Sequence, residues 1–302
     1  MGRNIAVLLT CFNRKEKTLS CLASLFNAQD GYNKCSLSNQ VQLTLFLVDD
    51  GCTDGTSDAI KKTFSNKKIN IIKGTGSLYW AGGMRLAWRT ALMYDNWDYF
   101  LLINDDTDLL EIVFDELFKT EEYSIKHYAK EGLISGITTS KTEPYILTYG
   151  GSVWVNKFLG TKKRLGKSAS PQLCDFTNAN ILLIPNSIVN QVGIFFDGYI
   201  HGLADYDYSN MVRKAGFPVI LTANFCGRCD RDHSNHAEIH NRVVNMSLME
   251  RKKYFKDPRH SLDQYYLYAR RVTPLRAPFV RIANFLHVYF PVLLYKMGSF
   301  RF

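Results

Sequence analysis

No apolar stretch reaches the length of a membrane-spanning helix, which argues against a helical integral membrane protein. The opening MGRNIAVLLT turns polar at once, unlike a secretory leader, so the expected compartment is the cytoplasm. The seven cysteines are odd in number and scattered, which does not suggest a disulfide framework. In a reducing compartment the Asn245-Met-Ser247 sequon carries no meaning. There is no internal repeat and no low-complexity tract. Gly74-x-Gly76 is not a dinucleotide fingerprint, because Gly82 comes too late for that spacing.

The 302 residues, 46% hydrophobic and 22% charged, have the composition of an ordinary globular protein with a real core. The formal charge of +9 is uneven. Residues 262–302 carry six basic side chains (Arg270, Arg271, Arg276, Arg281, Lys296, Arg301) against one acid, Asp263. A negatively charged partner is therefore expected at this end.

Apolar runs at 5–10, 43–48, 69–72 and 99–103 read as buried strands. Helical spacing fills 15–28, 56–64 and 80–94, while 29–40 reads as a polar loop. This alternation predicts a parallel, doubly wound sheet. Three strands end in polar clusters, at 10–14, 49–55 and 104–108, which places those clusters on one carboxyl edge. Further strands are expected at 132–138, 145–155, 176–185 and 218–225, with a mobile basic loop at 160–171. His201-Gly-Leu-Ala-Asp205-Tyr-Asp207 leads into a helix through Arg213.

The edge clusters carry the candidate chemistry. Asp105 and Asp106 repel one another and are costly to desolvate, a pairing that suits Mg²⁺ or Mn²⁺ holding a diphosphate. The alternative is a turn in which Asp106 or Asp108 caps the next helix. Asp49 and Asp50 would accept hydrogen bonds from a base N–H or a ribose hydroxyl, or else belong to a helix-capping turn. Thr10 and Arg14, on the neighbouring strand end, would frame the base. Arg85 would grip a phosphate bidentately, or lie solvated on the surface. Cys226-x-x-Cys229 with His236 and His240 mimics a zinc pattern, but the gap between the pairs is too short for a finger.

Thr10-Cys-Phe-Asn13-Arg14, Val48-Asp49-Asp50-Gly51-Cys-Thr-Asp54-Gly-Thr, Gly82-Gly-Met-Arg85, Asn104-Asp105-Asp106 and Asp205-Tyr-Asp207 through Arg213-Lys-Ala-Gly216 occur in one order. In that order they resemble family 2 glycosyltransferases of the GT-A fold. Tyr265-Tyr-Leu-Tyr-Ala-Arg270-Arg271 resembles a tail of bacterial rhamnosyl- and galactofuranosyl-transferase-like members. The resemblance implies an α/β GT-A domain over 1–255, a Rossmann-like mixed sheet flanked by helices. Its nucleotide-binding half would be 1–120, its acceptor half 121–255, and 256–302 a helical C-terminal extension.

It also implies an inverting transfer from a nucleotide-sugar donor, a UDP- or dTDP-sugar, to a glycan or lipid-linked acceptor in bacterial surface polysaccharide synthesis. Thr10, Arg14, Asp49, Asp50, Arg85, Asn104 and Asp105 would bind the donor. Asp106 and His233 would ligate the metal, with Asn standing where the family's first acid is usual. Asp205 matches the general base, and Asp207 and Asn178 would meet the acceptor.

The basic-aromatic tail suits either a peripheral membrane contact or packing onto the domain. Nucleic acid is not an expected partner, since no binding motif accompanies the charge. A sugar-1-phosphate nucleotidyltransferase is one rival reading, but it would want a Gly-rich basic loop where Cys11-Phe-Asn-Arg14 stands. The other rival, a non-catalytic nucleotide-sugar-binding scaffold, has no evident need for Asp106 and Asp205 together.

Overall fold

In β1 (Arg3–Cys11), Ile5, Val7 and Leu9 enter one buried cluster, and Ala6 and Leu8 enter another. Side chains alternate across a strand, so a continuous apolar run feeds two cores only if both faces of the sheet are covered. Each fully buried Ile or Leu contributes about 1.5–3 kcal/mol. The computed structural model describes residues 2–36, 39–94, 96–231 and 236–296.

The first half continues through α1 (Lys15–Cys35), β2 (Val41–Asp49), α2 (Thr56–Thr63), β3 (Ile69–Lys73), α3 (Tyr79–Ala91) and β4 (Tyr99–Ile103). The second comprises β5 (Asp108–Leu109), α4 (Val113–Tyr128), β6 (Leu133–Thr139), β7 (Leu147–Tyr149), β8 (Gly151–Asn156), β9 (Thr161–Arg164), β10 (Gln172–Leu173), β11 (Phe176–Thr177), β12 (Ile181–Pro185), α5 (Asn186–Val192), α6 (Ala204–Lys214) and β13 (Val219–Arg228). After it come α7 (His236–Asn245), α8 (Leu248–Tyr254), α9 (Leu262–Val272), a 3₁₀ turn (Pro274–Arg276), α10 (Ala277–Tyr289) and α11 (Pro291–Lys296).

The main sheet has the order β10-β13-β6-β12-β4-β1-β2-β3. β3, β2, β1 and β4 are mutually parallel, as are β6 and β13. β12 is antiparallel to both of its neighbours, β4 and β6. The mixed α/β sheet flanked by helices therefore agrees with the fold expected from the sequence. A small second sheet, β11-β8-β9, stands beside it.

Three local expectations are corrected. The first helix runs on to Cys35 rather than stopping at 28, because Tyr32 packs its ring against Phe114 and Phe118, with centroids 5.9 and 5.7 Å apart. The span 145–155 breaks at Gly150, so that β7 pairs with β6 while β8 enters the small sheet. The basic loop 160–171 contains β9, paired antiparallel with β8. All four β9 residues are exposed, so the strand has no hydrophobic alternation to read.

The C-terminal extension packs on the domain. Leu267 and Tyr268 join the second core. Gln264 accepts from Ile200 N (2.9 Å) and donates to Gly198 O (3.1 Å). Phe279, Ile282, Phe285, Phe290 and Leu293 face outward and are exposed. Among the described residues no helix is long and apolar enough to cross a membrane.

Candidate active site

The parallel strands β1, β2 and β4 deliver residues 10–14, 49–55 and 104–108 to one edge. β12 runs the other way, so it delivers its start, residues 178–180, to that same edge. Asn104 N donates to Asn180 O across the join (3.3 Å). β13, parallel to β6, brings Cys229 and Asp230 to it as well.

Asp105 and Asp106 share one guanidinium. Arg14 Nη1 lies 3.3 Å from Asp105 Oδ1 and 2.9 Å from Asp106 Oδ2. Burial pushes the Asp105 carboxyl up to about 7, Arg14 opposes the rise, and Asp106 adds to it. Trp80 Nε1 donates to Asn104 Oδ1 (2.8 Å) and fixes the orientation of that amide. Cys229 Sγ lies 3.5 Å from Asp106 Oδ1. Neither Trp80 nor Cys229 was singled out for this role by sequence. Trp80's one hint was its position just before the Gly82-Gly83 pair. Neither Asp106 nor Asp108 caps α4, because β5 intervenes and Ile112 takes the N-cap position.

The Asp49–Asp50 turn is largely occupied by its own chain. Asp49 accepts from Cys52 N (2.7 Å) and from the Ser57 hydroxyl. Burial pushes its carboxyl up, but these hydrogen bonds outweigh burial and hold it below the usual range. Buried Asp50 accepts from Gly76 N, Leu78 N and Tyr79 N at 2.9–3.1 Å, and so shapes the loop leading into α3. Gly51, at φ +90°, makes the turn that a side chain would strain. Thr10 Oγ1 reaches Val48 O (3.4 Å) and packs on Gly83, where a Cβ would overlap the hydroxyl. Small residues here seat α3 against the end of β1.

Two residues expected at the donor and the acceptor, Arg85 and Asp207, are engaged by the protein's own groups. Arg85 does not project as a phosphate grip. Its Nη1 donates to Tyr199 O (2.6 Å) and Phe196 O (3.2 Å), and its Nε pairs with Asp197 (3.2 Å). It therefore clamps the 196–199 loop. Asp207 does not face an acceptor. It is buried, with Oδ2 2.7 Å from Arg271 Nε of α9.

Asp205 sits in the first turn of α6, where helix amides favour negative charge. Leu203 just before it has φ +70°, a conformation costing a non-glycine residue about 1–2 kcal/mol. Asp205 Oδ2 accepts from Ala179 N (3.2 Å) and Oδ1 from Tyr206 N (2.9 Å). Burial pushes its carboxyl up to about 6, with the two amides and Lys162 opposing the rise. Asn178 Nδ2 donates to the Tyr206 hydroxyl (3.2 Å). Residues 178–180 thus join two stations. Ala179 holds Asp205, while Asn180 holds Asn104 and, through Nδ2, reaches Cys229 Sγ (3.6 Å) beside Asp106.

Among the described residues no cluster of three His, Cys, Asp or Glu side chains is arranged to hold a metal. Magnesium commonly takes only one or two carboxylates and draws the rest of its oxygens from substrate and water. Asp106, partly exposed and flanked by Asp105, fits that sparse donor set. His233 lies outside the described residues. Cys226 is fully buried and bonds Thr222 (3.4 Å), whereas Cys229 bonds Asp106. Each thiol of the zinc-like pattern thus has its own neighbours.

Antiparallel β12 set between two groups of parallel strands, with short antiparallel strands at the margin and helices on both faces, defines an α/β fold of the GT-A type. The same fold is found in S. aureus TarS residues 1–349 in complex with UDP-GlcNAc (TM-score 0.56, 9% identity, 99% of this chain and 93% of that one). A second crystal structure of TarS 1–349 aligns equally well (TM-score 0.56, 10% identity, the same coverage). Neither a family model nor a curated protein matches the chain by sequence.

Proposed function

We propose that the chain is an inverting glycosyltransferase of the family 2 kind. It moves a sugar from a UDP- or dTDP-sugar to a hydroxyl of a glycan or lipid-linked acceptor in surface polysaccharide synthesis. The observation that carries this reading is the pair of carboxylate stations, Asp106 and Asp205, joined by residues 178–180. UDP-GlcNAc bound to TarS, which shares the fold, supports a nucleotide-sugar donor.

In the single displacement, the acceptor oxygen forms a bond to the anomeric carbon as the bond from that carbon to the diphosphate oxygen breaks. Asp205 takes the hydroxyl proton, and its raised pKa makes it a better base than an ordinary carboxylate. Asp106, with Asp105 behind it, would hold Mg²⁺ or Mn²⁺, which when bound offsets charge on the departing diphosphate. Arg14 and Asn104 line the same end of β4 and orient the donor.

The test is a panel of sugar nucleotides, read by thermal shift and by release of nucleoside diphosphate. One donor should raise the melting temperature and be slowly hydrolysed. Pyrophosphate made from a sugar 1-phosphate and a nucleoside triphosphate would favour a nucleotidyltransferase instead, and no turnover of any kind a scaffold. Asp106→Ala should weaken Mn²⁺-dependent donor binding by at least about ten-fold in calorimetry. Unchanged affinity would move the metal elsewhere.

A further inference from the structure

Lys162, close enough to Asp205 to feel its charge, and Arg276, close enough to Lys162 to oppose its charge, form no salt bridge among the described residues. Lys162, in β9, holds its Nζ 5.3 Å from the ring centroids of both Phe176 and Tyr206. Tyr206 follows Asp205 directly, and the ammonium is near enough to Asp205 to favour its ionised form. Arg276 lies on the 3₁₀ turn of the extension. Its guanidinium lies against Gly160, where a Cβ would overlap it, two residues from Lys162. Phe158 and Phe279, with centroids 5.7 Å apart, hold the hairpin tip to α10.

Among the described residues neither cation has a carboxylate oxygen within 4.0 Å. Asp205 is near enough to Lys162 to favour its charged form but makes no salt bridge with it, and its two oxygens accept amide hydrogens. Burial holds the Lys162 ammonium below the usual range, Asp205 opposes that effect and Arg276 adds to it. An anion bound between two like charges would favour the charged form of both.

We infer that Lys162 and Arg276 form a subsite for an anionic group on the acceptor, a phosphate or a carboxylate, next to the hydroxyl that Asp205 deprotonates. The assignment to the acceptor rests on the transferase reading. In an in-line displacement nucleophile and leaving group lie on opposite sides of the anomeric carbon, so cations beside the base face the acceptor. The rings of Trp154, Phe176 and Tyr206, tilted against one another with centroids 4.9 Å apart, provide a wall for the sugar that bears the charge.

The full chain, saturated with UDP to occupy the donor side, is titrated by calorimetry with methyl β-glucoside, methyl β-glucuronide and glucose 6-phosphate. At least one of the two anions should bind about ten-fold or more tightly than the neutral glucoside, as expected for charge-assisted hydrogen bonds. Whichever anion is preferred names the group, carboxylate or phosphate. Lys162→Gln and Arg276→Gln should each collapse the difference, while Lys162→Arg keeps it. Melting temperatures confirm that the variants fold. Equal binding of neutral and anionic sugars, or a difference that survives Lys162→Gln, overturns the subsite. Sugar-nucleotide turnover is read separately. Turnover without anion preference leaves the transferase and removes the subsite, whereas anion preference without turnover does the reverse.

Discussion

Asp205→Asn is expected to lower sugar transfer by about 10²–10⁴-fold, the usual contribution of a positioned general base. Donor affinity should stay near that of the wild type. The carboxamide keeps the shape of the side chain, and its oxygen can still accept one of the two amides from Ala179 and Tyr206. What it loses is the capacity to take a proton.

The pH dependence should show the same group. Burial raises the Asp205 carboxyl from 3.8 to about 6, so it is ionised and able to act only above that value. Below it, transfer should fall about ten-fold per pH unit. Stability runs the other way. A carboxyl raised in the folded state favours the fold below its unfolded value near 4, and that contribution is lost as pH rises through 6. At pH 8 the ionised group therefore costs up to about 3 kcal/mol. Asp205→Asn should recover part of this, raising the melting temperature at pH 8 and leaving it nearly unchanged at pH 4. Turnover like the wild type's in this variant would eliminate Asp205 as the base.

Arg271→Ala is expected to cost about 3–5 kcal/mol in urea unfolding, the range for stripping one partner from a buried ion pair. Asp207 is 1% exposed, and its Oδ1 has no hydrogen-bond partner among the described residues. Arg271 is thus the main stabiliser of its charge, through Oδ2 at 2.7 Å. The guanidinium also lies 3.7 Å from the Phe196 ring centroid, so its loss removes packing too. The double variant Asp207→Asn with Arg271→Met should be more stable than Arg271→Met alone, because no charge is left bare. A loss below about 1 kcal/mol for Arg271→Ala would show that the pair behaves as an exposed one.

Much of the first half was legible in sequence because its apolar runs stop abruptly at polar clusters. Thr10–Arg14, Asp49–Gly55 and Asn104–Asp108 do share one edge, as the parallel pairing requires. The direction of β12 was not legible. An apolar run has no arrow, so nothing announced that Asn178–Asn180 would reach the edge from the start of a strand. Lys162 was hidden because exposed β9 reads as loop. The Asp207–Arg271 pair spans 64 residues, and its carboxylate looked like an acceptor contact from its place beside Asp205. The partners of Arg85 were hidden for a similar reason. Its place after two glycines suggested a phosphate, while the loop it clamps lies over a hundred residues away.

Asp205 and Asp207 are two positions apart on α6, which turns them by about 200° around the helix axis. One side of that single turn holds the proposed base, and the other is bolted to the extension through Arg271. A chimaera that grafts a foreign tail onto this domain must bring its own guanidinium to that spot. Otherwise it inherits a naked charge within one turn of the reaction.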